Sequence, residues 1–250
     1  MIKLALQMFT VRNEWAKDPE KTLAAISAIG YSGVEFTDYL GMDATELKDL
    51  LDKYGLKAVS SHISYKKLSE NFIDEINYVK ALGANYITIP SLPSEMRNDE
   101  LSILHAAAEL DDMARKAKQK GISLSYHNHT FEFLTVFNNR SIEQILIDEA
   151  PNLNFEVDTG WAGVSGIDNK EFLAKLGYRV DLVHVKDVNN ENIPVEIGEG
   201  RLNIKAVFDM VDKMAIRWAI VEQDTMQAYS ELESIKVSYD NIQERYIKFL

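Results

Sequence analysis

The sequence predicts one α/β domain, spanning residues 1–250, that folds as a single (β/α)8 TIM barrel. A length of 250 residues suits one such barrel. Short apolar runs alternate with longer amphipathic stretches along the whole chain, and no linker rich in proline, glycine or serine divides it. Alternation of strands and helices in one domain is typical of a parallel sheet, and eight repeats indicate a closed barrel.

Eight short apolar runs predict the strands, at residues 3–8, 33–36, 57–62, 85–90, 123–128, 154–158, 182–186 and 218–223. Eight stretches with helical apolar spacing predict the helices, at residues 19–29, 44–54, 71–82, 99–120, 142–149, 170–176, 204–213 and 230–249. Five glycines each follow a predicted helix and precede a strand, where a left-handed C′ residue is expected: Gly30, Gly55, Gly83, Gly121 and Gly177. The alternative fold is an open doubly wound sheet. It normally carries a glycine-rich phosphate loop after its first strand, and LQMFTVRN contains no glycine.

Composition narrows the class of protein. The absence of cysteine excludes disulfides, thiolate nucleophiles and cysteine-ligated metal sites. A formal net charge of −12 disfavours nucleic-acid binding, which normally needs a basic surface. No run approaches the roughly 18 apolar residues of a membrane span, and the N-terminus lacks the features of a signal peptide. We therefore expect a cytoplasmic protein with no nucleic-acid or membrane partner, and leave open whether it is a homo-oligomer.

Polar side chains at the predicted strand ends form the candidate site. In a TIM barrel the catalytic groups come from the carboxyl ends of the strands, and side chains alternate across a strand. If the apolar neighbours face the helices, then His127, Asp158, His184 and Glu222 all face the barrel axis. The same alternation turns Glu156 and Lys186 inward.

Imidazole and carboxylate together form a ligand set for one divalent ion, Mn²⁺, Zn²⁺, Co²⁺ or Mg²⁺. Such an ion polarises a carbonyl and stabilises an enediolate. Taken singly, each residue has a structural alternative: a strand-end histidine is commonly a hydrogen-bonded rim residue, and Asp158 resembles a helix cap. The joint pattern favours metal binding, because barrel interiors are mostly filled by branched apolar residues.

Other strand-end residues are candidates for contacts with the substrate. Gln7, Glu35 and His62 end the first three strands and are expected to contact hydroxyl groups. Trp161 follows the sixth strand and is expected to form a wall of the pocket, as aromatic rings do against sugars. Lys186 is a candidate for proton transfer or for clamping the substrate.

Eight segments, in this order, carry a family resemblance: LQMFTVR, IGYSGVEF, SSHIS, SYHNHTFEF, FEVDTGW, VDLVHVKDV, IGEGRLN and IVEQD. They resemble the xylose isomerase-like TIM barrel superfamily, also called sugar phosphate isomerases/epimerases, over nearly the whole chain. Its members include inosose dehydratase-like proteins, to which this chain looks closest, as well as ketose 3-epimerases and endonuclease IV. The resemblance implies metal ligands Asp158, His184 and Glu222.

The resemblance departs from the family pattern at the fifth strand. Many members carry a glutamate ligand there, where this chain has His127. Either His127 or His129 supplies the fourth ligand, or Glu132 reaches back to it. Ketose 3-epimerases use the strand-five and strand-eight glutamates as an acid and base pair, and one of that pair is an imidazole here.

The predicted function is a metal-dependent isomerase or epimerase of a small sugar or keto-sugar. Glu222, Glu132 or Lys186 would move the proton, and His129 would contact the substrate. The main alternative is a dehydratase or lyase acting on a keto-sugar or an inosose. An abasic-site endonuclease and an inert sugar-binding barrel are further alternatives, which the net charge and the retained ligand pattern respectively disfavour. The sequence does not indicate whether the substrate is phosphorylated.

Overall fold

A computed structural model describes residues 2–247 of the chain. Eight parallel strands close into a barrel: β1 Lys3–Gln7, β2 Gly33–Phe36, β3 Lys57–His62, β4 Tyr86–Ile89, β5 Ser123–His127, β6 Asn154–Asp158, β7 Val180–Val185 and β8 Trp218–Val221. Strands that follow one another in sequence are neighbours, and β8 pairs with β1 to complete the circle. The predicted barrel is confirmed, and the open doubly wound sheet is excluded.

The α-helices that lie between the strands match the predicted helical segments to within one or two residues in most cases. The helices of the described residues are α1 Arg12–Lys17, α2 Pro19–Ile29, α3 Ala44–Lys53, α4 Tyr65–Glu70, α5 Phe72–Leu82, α6 Glu100–Gln119, α7 Thr130–Leu134, α8 Ile142–Glu149, α9 Thr159–Val164, α10 Asn169–Leu176, α11 Ile204–Lys213 and α12 Glu231–Arg245. The last predicted helix extends to Phe249, which lies outside the described residues. Within residues 2–247, no helix combines the length and apolar character needed to cross a membrane.

Helix ends use the capping chemistry that their sequences offer. Gly83 ends α5 in the left-handed conformation, with φ 84° and ψ 12°. Ser230 starts α12 with a capping box in which its side chain accepts from the backbone of Glu233, whose carboxylate accepts from the backbone of Ser230 in return. These caps fix the residues at which the helices begin and end, and therefore where the neighbouring loops start.

Four short helices not expected from the sequence lie at the carboxyl ends of strands. They are α1, α4, α7 and α9, which follow β1, β3, β5 and β6. Each has only five or six residues, too few to show a helical period in the sequence. They surround the barrel mouth, so they shape the site.

The inner and outer faces of the strands alternate as the sequence predicts. Val183 and Val185 are fully buried in the main apolar core, while His184 and Lys186 point into the barrel mouth. A small apolar layer fills the middle of the barrel: Ala5, Val59, Leu182, Trp218 and Ile220. Leu182 and Ile220 of this layer precede His184 on β7 and Glu222 just after β8, so these polar residues lie beyond the layer, toward the carboxyl end.

Candidate metal and catalytic site

The four predicted metal ligands come together at the carboxyl end of the barrel. His127, Asp158, His184 and Glu222 each offer one nitrogen or oxygen atom, and these atoms all lie within 4.8 Å of one another. All four side chains are buried. We call these four residues the ligand set. They lie at the carboxyl ends of four neighbouring strands, β5 to β8, so the parallel pairing of these strands brings them together.

A second, overlapping group lies deeper on the β3 and β6 side. His62, His127, Glu156 and His184 also offer ligand-type atoms within 4.8 Å of one another. Glu156 Oε2 lies 2.6 Å from His62 Nε2, 3.2 Å from His127 Nδ1 and 3.3 Å from His184 Nε2. The sequence placed Glu156 inward but gave it no role. Its position two residues before Asp158 on one strand was the available signal.

His184 lies between the two groups. Its Nδ1 is 2.9 Å from Glu222 Oε2, and its Nε2 is 2.7 Å from Glu35 Oε1. Gln7 Nε2 donates to the same Glu35 oxygen at 2.6 Å. Gln7 and Glu35 are fully buried, so the structure places both beneath the ligand set with protein partners. The predicted substrate contacts of these two residues are therefore not available in this conformation.

Lys186 brings a buried positive charge to the ligand set. Its Nζ lies 3.1 Å from Asp158 Oδ2, 3.2 Å from Glu222 Oε2 and 2.7 Å from Asp224 Oδ2. The amino group also lies 4.5 Å from the centroid of the Trp161 ring, a cation–π contact. No role for Asp224 follows from the sequence, because this residue lies three positions beyond the end of β8.

Gly160 allows the lysine to take this position. A Cβ atom at residue 160 would lie 2.5 Å from Lys186 Cβ, far inside van der Waals contact. The DTG segment that ends β6 therefore does two things. Asp158 supplies a carboxylate to the ligand set and caps α9 through Trp161 N at 2.8 Å, and the glycine opens the space for Lys186.

The charges at the mouth shift the pKa values of these groups strongly. Burial alone would lower the pKa of His62, but the carboxylates of Glu35 and Glu156 raise it to about 10. Burial would likewise lower the pKa of His184, yet Glu156, Glu35 and Glu222 raise it well above its usual value. Burial lowers the pKa of His127, which leaves that imidazole neutral. The surplus of carboxylates thus favours positive charge at the mouth.

The pKa values of the two carboxylates in the ligand set shift in opposite directions. Burial raises the pKa of Asp158, and Lys186 offsets only part of that effect. Burial would also raise the pKa of Glu222, but the charges of Lys186 and His184 lower it well below its usual range. Glu222 is therefore ionised at neutral pH.

The turn after β5 corrects one predicted role. Glu132 is fully buried, but its oxygens are used locally: one accepts from Tyr126 Oη at 2.9 Å and the other from His129 N at 2.7 Å. Tyr126 is on the helix-facing side of β5, so Glu132 lies away from the ligand set. It closes a capping box on α7 and does not reach the proposed reaction centre, either as a ligand or as a base.

His129 lies at the rim and is not part of either group of ligand atoms. Its ring stacks on Phe131, at 5.6 Å between ring centroids, and meets the His127 ring edge-on at 5.0 Å. Of the three candidates for a strand-five ligand, only His127 lies within the ligand set. His62 is close by, with a side chain only 7% exposed, and its Nε2 contacts Glu35 and Glu156. Its ring also stacks on the ring of His184, at 5.5 Å between centroids.

The donor chemistry fits a divalent ion. Two imidazole nitrogens and two carboxylate oxygens form a set that suits Zn²⁺, Mn²⁺ or Co²⁺. Within residues 2–247, buried oxygens of Asp158, Glu156 and Glu35 have no hydrogen-bond partner: Asp158 Oδ2, Glu156 Oε1 and Glu35 Oε2. Asp158 Oδ2 still lies 3.1 Å from the Lys186 ammonium, whereas Glu156 Oε1 and Glu35 Oε2 are left without a partner in the part of the chain that the structure describes. Buried carboxylate oxygens are normally satisfied, so a bound cation would suit this cluster.

A protein-family model described as xylose isomerase-like TIM barrel matches residues 23–244. The chain therefore belongs to the xylose isomerase-like TIM barrel family, as the sequence motifs indicated.

Curated and solved relatives agree with this family. An inosose dehydratase of Clostridium perfringens is 26% identical over 70% of this chain and 65% of its own length. The rhizopine catabolism protein MocC of Rhizobium meliloti is 22% identical over 96% of this chain and 87% of its own. The crystal structure of a sugar phosphate isomerase/epimerase from Parabacteroides distasonis has a TM-score of 0.88 at 21% identity, over 99% of this chain and 100% of that one. The chain spans only about 65% of the length of the inosose dehydratase that it matches.

Proposed function

We propose that the chain is a divalent-metal-dependent enzyme that removes a proton from the carbon next to a carbonyl of a small sugar or keto-sugar. The observation that carries this proposal is the ligand set itself, with four donor atoms within 4.8 Å and a buried lysine beside them. Barrel interiors are usually apolar, so this concentration of buried charged groups supports a catalytic role.

His127, Asp158, His184 and Glu222 would hold the ion, and the ion when bound would polarise a substrate carbonyl and acidify the neighbouring C–H bond. Glu222 is the base we assign, because it is ionised and both of its contacts, to His184 and to Lys186, use Oε2. Its Oε1 is then the atom that takes the proton. Trp161 covers Lys186 and forms a wall of the mouth.

Lys186 remains protonated, because burial would lower its pKa but Asp158, Glu222 and Asp224 raise it. A protonated lysine serves as an acid and as a positive charge, and cannot serve as the base. It would face the oxygen on which negative charge develops and donate a proton to that oxygen or to a leaving group.

Elimination is the outcome that we favour after proton abstraction, with loss of water or a glycosyl group from a keto-sugar or an inosose. By family resemblance, 3-epimerases place glutamates on two faces of the substrate, but here the strand-five position holds His127. Glu132 cannot replace that glutamate, because its oxygens are bound to Tyr126 and to the backbone of His129. The similarity to inosose dehydratases supports the same outcome.

Isomerisation or epimerisation, the function expected from the sequence, is the second candidate. The observation that favours it is the 3.2 Å contact between Lys186 Nζ and Glu222 Oε2. This contact joins an acid and a base at one place, where a proton taken from one carbon can be returned to a neighbouring atom.

Proton NMR in D₂O separates the two outcomes. The zinc-loaded enzyme is incubated with a keto-inositol, a ketohexose and a 3-keto-glycoside, each with and without a phosphate group. New vinylic signals with release of water or a glycosyl group support elimination, whereas solvent deuterium at one carbon of an intact sugar supports isomerisation. Neither change with any member of the panel would contradict the proposal. Asp158→Ala is the inactive control.

A further inference from the structure

We propose that Glu35 and Glu156 are positioning residues that hold His184 and His127 in the ring orientation and tautomer needed to bind a divalent ion. This inference rests on the proposed function, since it assigns the residues behind the same ligand set. Neither carboxylate belongs to that set, and no role for Glu156 followed from the sequence.

The two nitrogens of His184 face in different directions. Nδ1 points toward the ligand set, where Glu222 Oε2 lies 2.9 Å away. Nε2 points away from it, toward Glu35 Oε1 at 2.7 Å and Glu156 Oε2 at 3.3 Å. Both nitrogens face a carboxylate, so ion binding has to displace the proton from Nδ1, while the carboxylates at Nε2 keep the remaining proton there. The lone pair of Nδ1 is then free for the ion.

His127 repeats the arrangement with its nitrogens exchanged. Its Nε2 faces the ligand set, 3.8 Å from Asp158 Oδ2, and its Nδ1 lies 3.2 Å from Glu156 Oε2. Glu156 Oε2 therefore lies within ion-pair distance of the outward nitrogen of both histidine ligands, although His127 Nδ1 forms no hydrogen bond with the described residues in this conformation. A hydrogen-bonded carboxylate behind a metal-binding histidine fixes the ring and raises the basicity of the ligating nitrogen.

The two carboxylates are themselves held in place. His62 Nε2 lies between them, 2.6 Å from Glu156 Oε2 and 3.1 Å from Glu35 Oε1, and Gln7 donates to Glu35. Both carboxylates are fully buried. The layer of Gln7, Glu35, His62 and Glu156 thus lies below the ligand set and supports it. Gln7, Glu35 and His62, which the sequence assigned to substrate contacts, have protein partners in this layer.

The alternative for this layer is a second ion, held by His62, Glu156 and the outward nitrogens of His127 and His184. The two arrangements differ in stoichiometry and in tautomer. A second ion would bind the nitrogens that positioning carboxylates keep protonated. We favour positioning because the 2.6 Å and 2.7 Å contacts of Glu156 to His62 and of Glu35 to His184 are hydrogen-bond distances.

The test measures Zn²⁺ binding and histidine tautomers in Glu156→Gln and Glu35→Gln. Zinc affinity and stoichiometry come from competition with a chelator, and long-range ¹H–¹⁵N spectra of the zinc-loaded protein report which ring nitrogen carries a proton. The chain has only five histidines, so single substitutions assign them. Asp181→Asn is the matched control, because it neutralises a carboxylate at the opposite end of the barrel. Circular dichroism checks that each variant is folded.

The wild type is expected to bind one Zn²⁺ with protons on His184 Nε2 and His127 Nδ1. Glu156→Gln is expected to weaken zinc binding by roughly 10–100-fold at unchanged stoichiometry and to shift both imidazole N–H signals. Glu35→Gln is expected to shift only that of His184, and Asp181→Asn neither.

Unchanged affinity and spectra in folded Glu156→Gln and Glu35→Gln would overturn the positioning role while leaving the proposed function intact. Two ions in the wild type and one in Glu156→Gln would overturn it in favour of a second metal site. A wild type that binds no divalent ion would overturn the proposed function together with this inference.

Discussion

The two ends of the barrel interior both carry polar side chains, but they differ in how those side chains are satisfied. At the amino end, Asp181 accepts hydrogen bonds from Ser123 at 2.5 Å, from Ser125 at 2.8 Å and from Asn154 at 3.0 Å. These partners are neutral, and both oxygens of Asp181 accept hydrogen bonds from them. At the carboxyl end, charged groups crowd together, and several buried oxygens lack a hydrogen-bond partner in the described part of the chain.

The difference separates a structural polar group from a functional one. A buried carboxylate whose oxygens all accept hydrogen bonds stabilises the barrel and needs no ligand. A buried cluster with unpaired carboxylate oxygens lowers the stability of the fold. An apolar layer that includes Leu182 and Ile220 lies between the ends, and the side-chain hydrogen bonds of Asp181 go to Ser123, Ser125 and Asn154, not to the ligand set. Substitutions at the two ends should therefore have different consequences.

Asp158→Asn should have the largest effect. The substitution keeps the shape of the side chain but removes a charge that faces both Lys186 and His127. We expect turnover to fall below detection in the NMR assay while the fold is retained. Asp181→Asn, the same change at the other end, should keep full turnover. Equal activity of the two variants would erase the contrast between the ends.

Lys186→Met should have the next largest effect. The variant keeps much of the buried volume but leaves Asp158, Glu222 and Asp224 without their shared cation. We expect kcat to fall by about 10²–10⁴-fold, the usual contribution of a positioned acid. Zinc binding should be retained, because the lysine offers no ligand. Steady-state kinetics and a chelator competition on one preparation check both statements, and an unaltered kcat would remove the lysine from the mechanism.

Asp181→Ala should affect stability and little else. It leaves three side chains without their acceptor, which costs about 1–3 kcal/mol of unfolding free energy. Urea unfolding followed by circular dichroism measures the cost. Turnover and metal content at a temperature where the variant is folded should match the wild type. A selective loss of activity would mean that the amino end also takes part in function.

Glu143→Gln probes a buried carboxylate in a third location, on α8 outside the barrel. This substitution should have the smallest effect. Burial and then repulsion from Glu132 raise the pKa of Glu143 well above its ordinary value of 4.5. The folded state therefore holds this proton more tightly than the unfolded state, and the wild type loses stability as the pH rises above about 4.5. The variant should gain stability over the wild type at pH 8 but not at pH 4. Equal gains at both pH values would rule out titration as the cause.

The fold and the ligand set were predictable because both follow regular sequence patterns. The fold follows the alternation of strands and helices along the chain, and the ligand set follows the alternation of side chains between the two faces of a strand. Each of His127, Asp158, His184 and Glu222 lies on or just beyond a strand whose apolar neighbours mark the outer face, so its direction could be read from the sequence. Glu156 obeys the same rule. Its direction was predictable, but its three histidine contacts depend on how β3, β5 and β7 close around it.

The remaining features lie where alternation no longer applies. Asp224 lies beyond β8, and Glu132 is in α7, a helix of five residues with no detectable period. Asp181 lies at a register shift between β6 and β7, where Phe155 pairs with Val180 but Glu156 pairs with Leu182. At such positions the backbone path, and not the sequence pattern, decides where a side chain points.

The ligand set at the carboxyl end of the barrel is proposed to hold a divalent ion. Calorimetric titration of the metal-free protein with Mn²⁺ tests this proposal most directly, on wild type, Asp158→Ala and Asp181→Ala side by side. We expect one ion per chain in the wild type and in Asp181→Ala, and no measurable binding in Asp158→Ala. Equal binding by all three proteins, or none by the wild type, would contradict it.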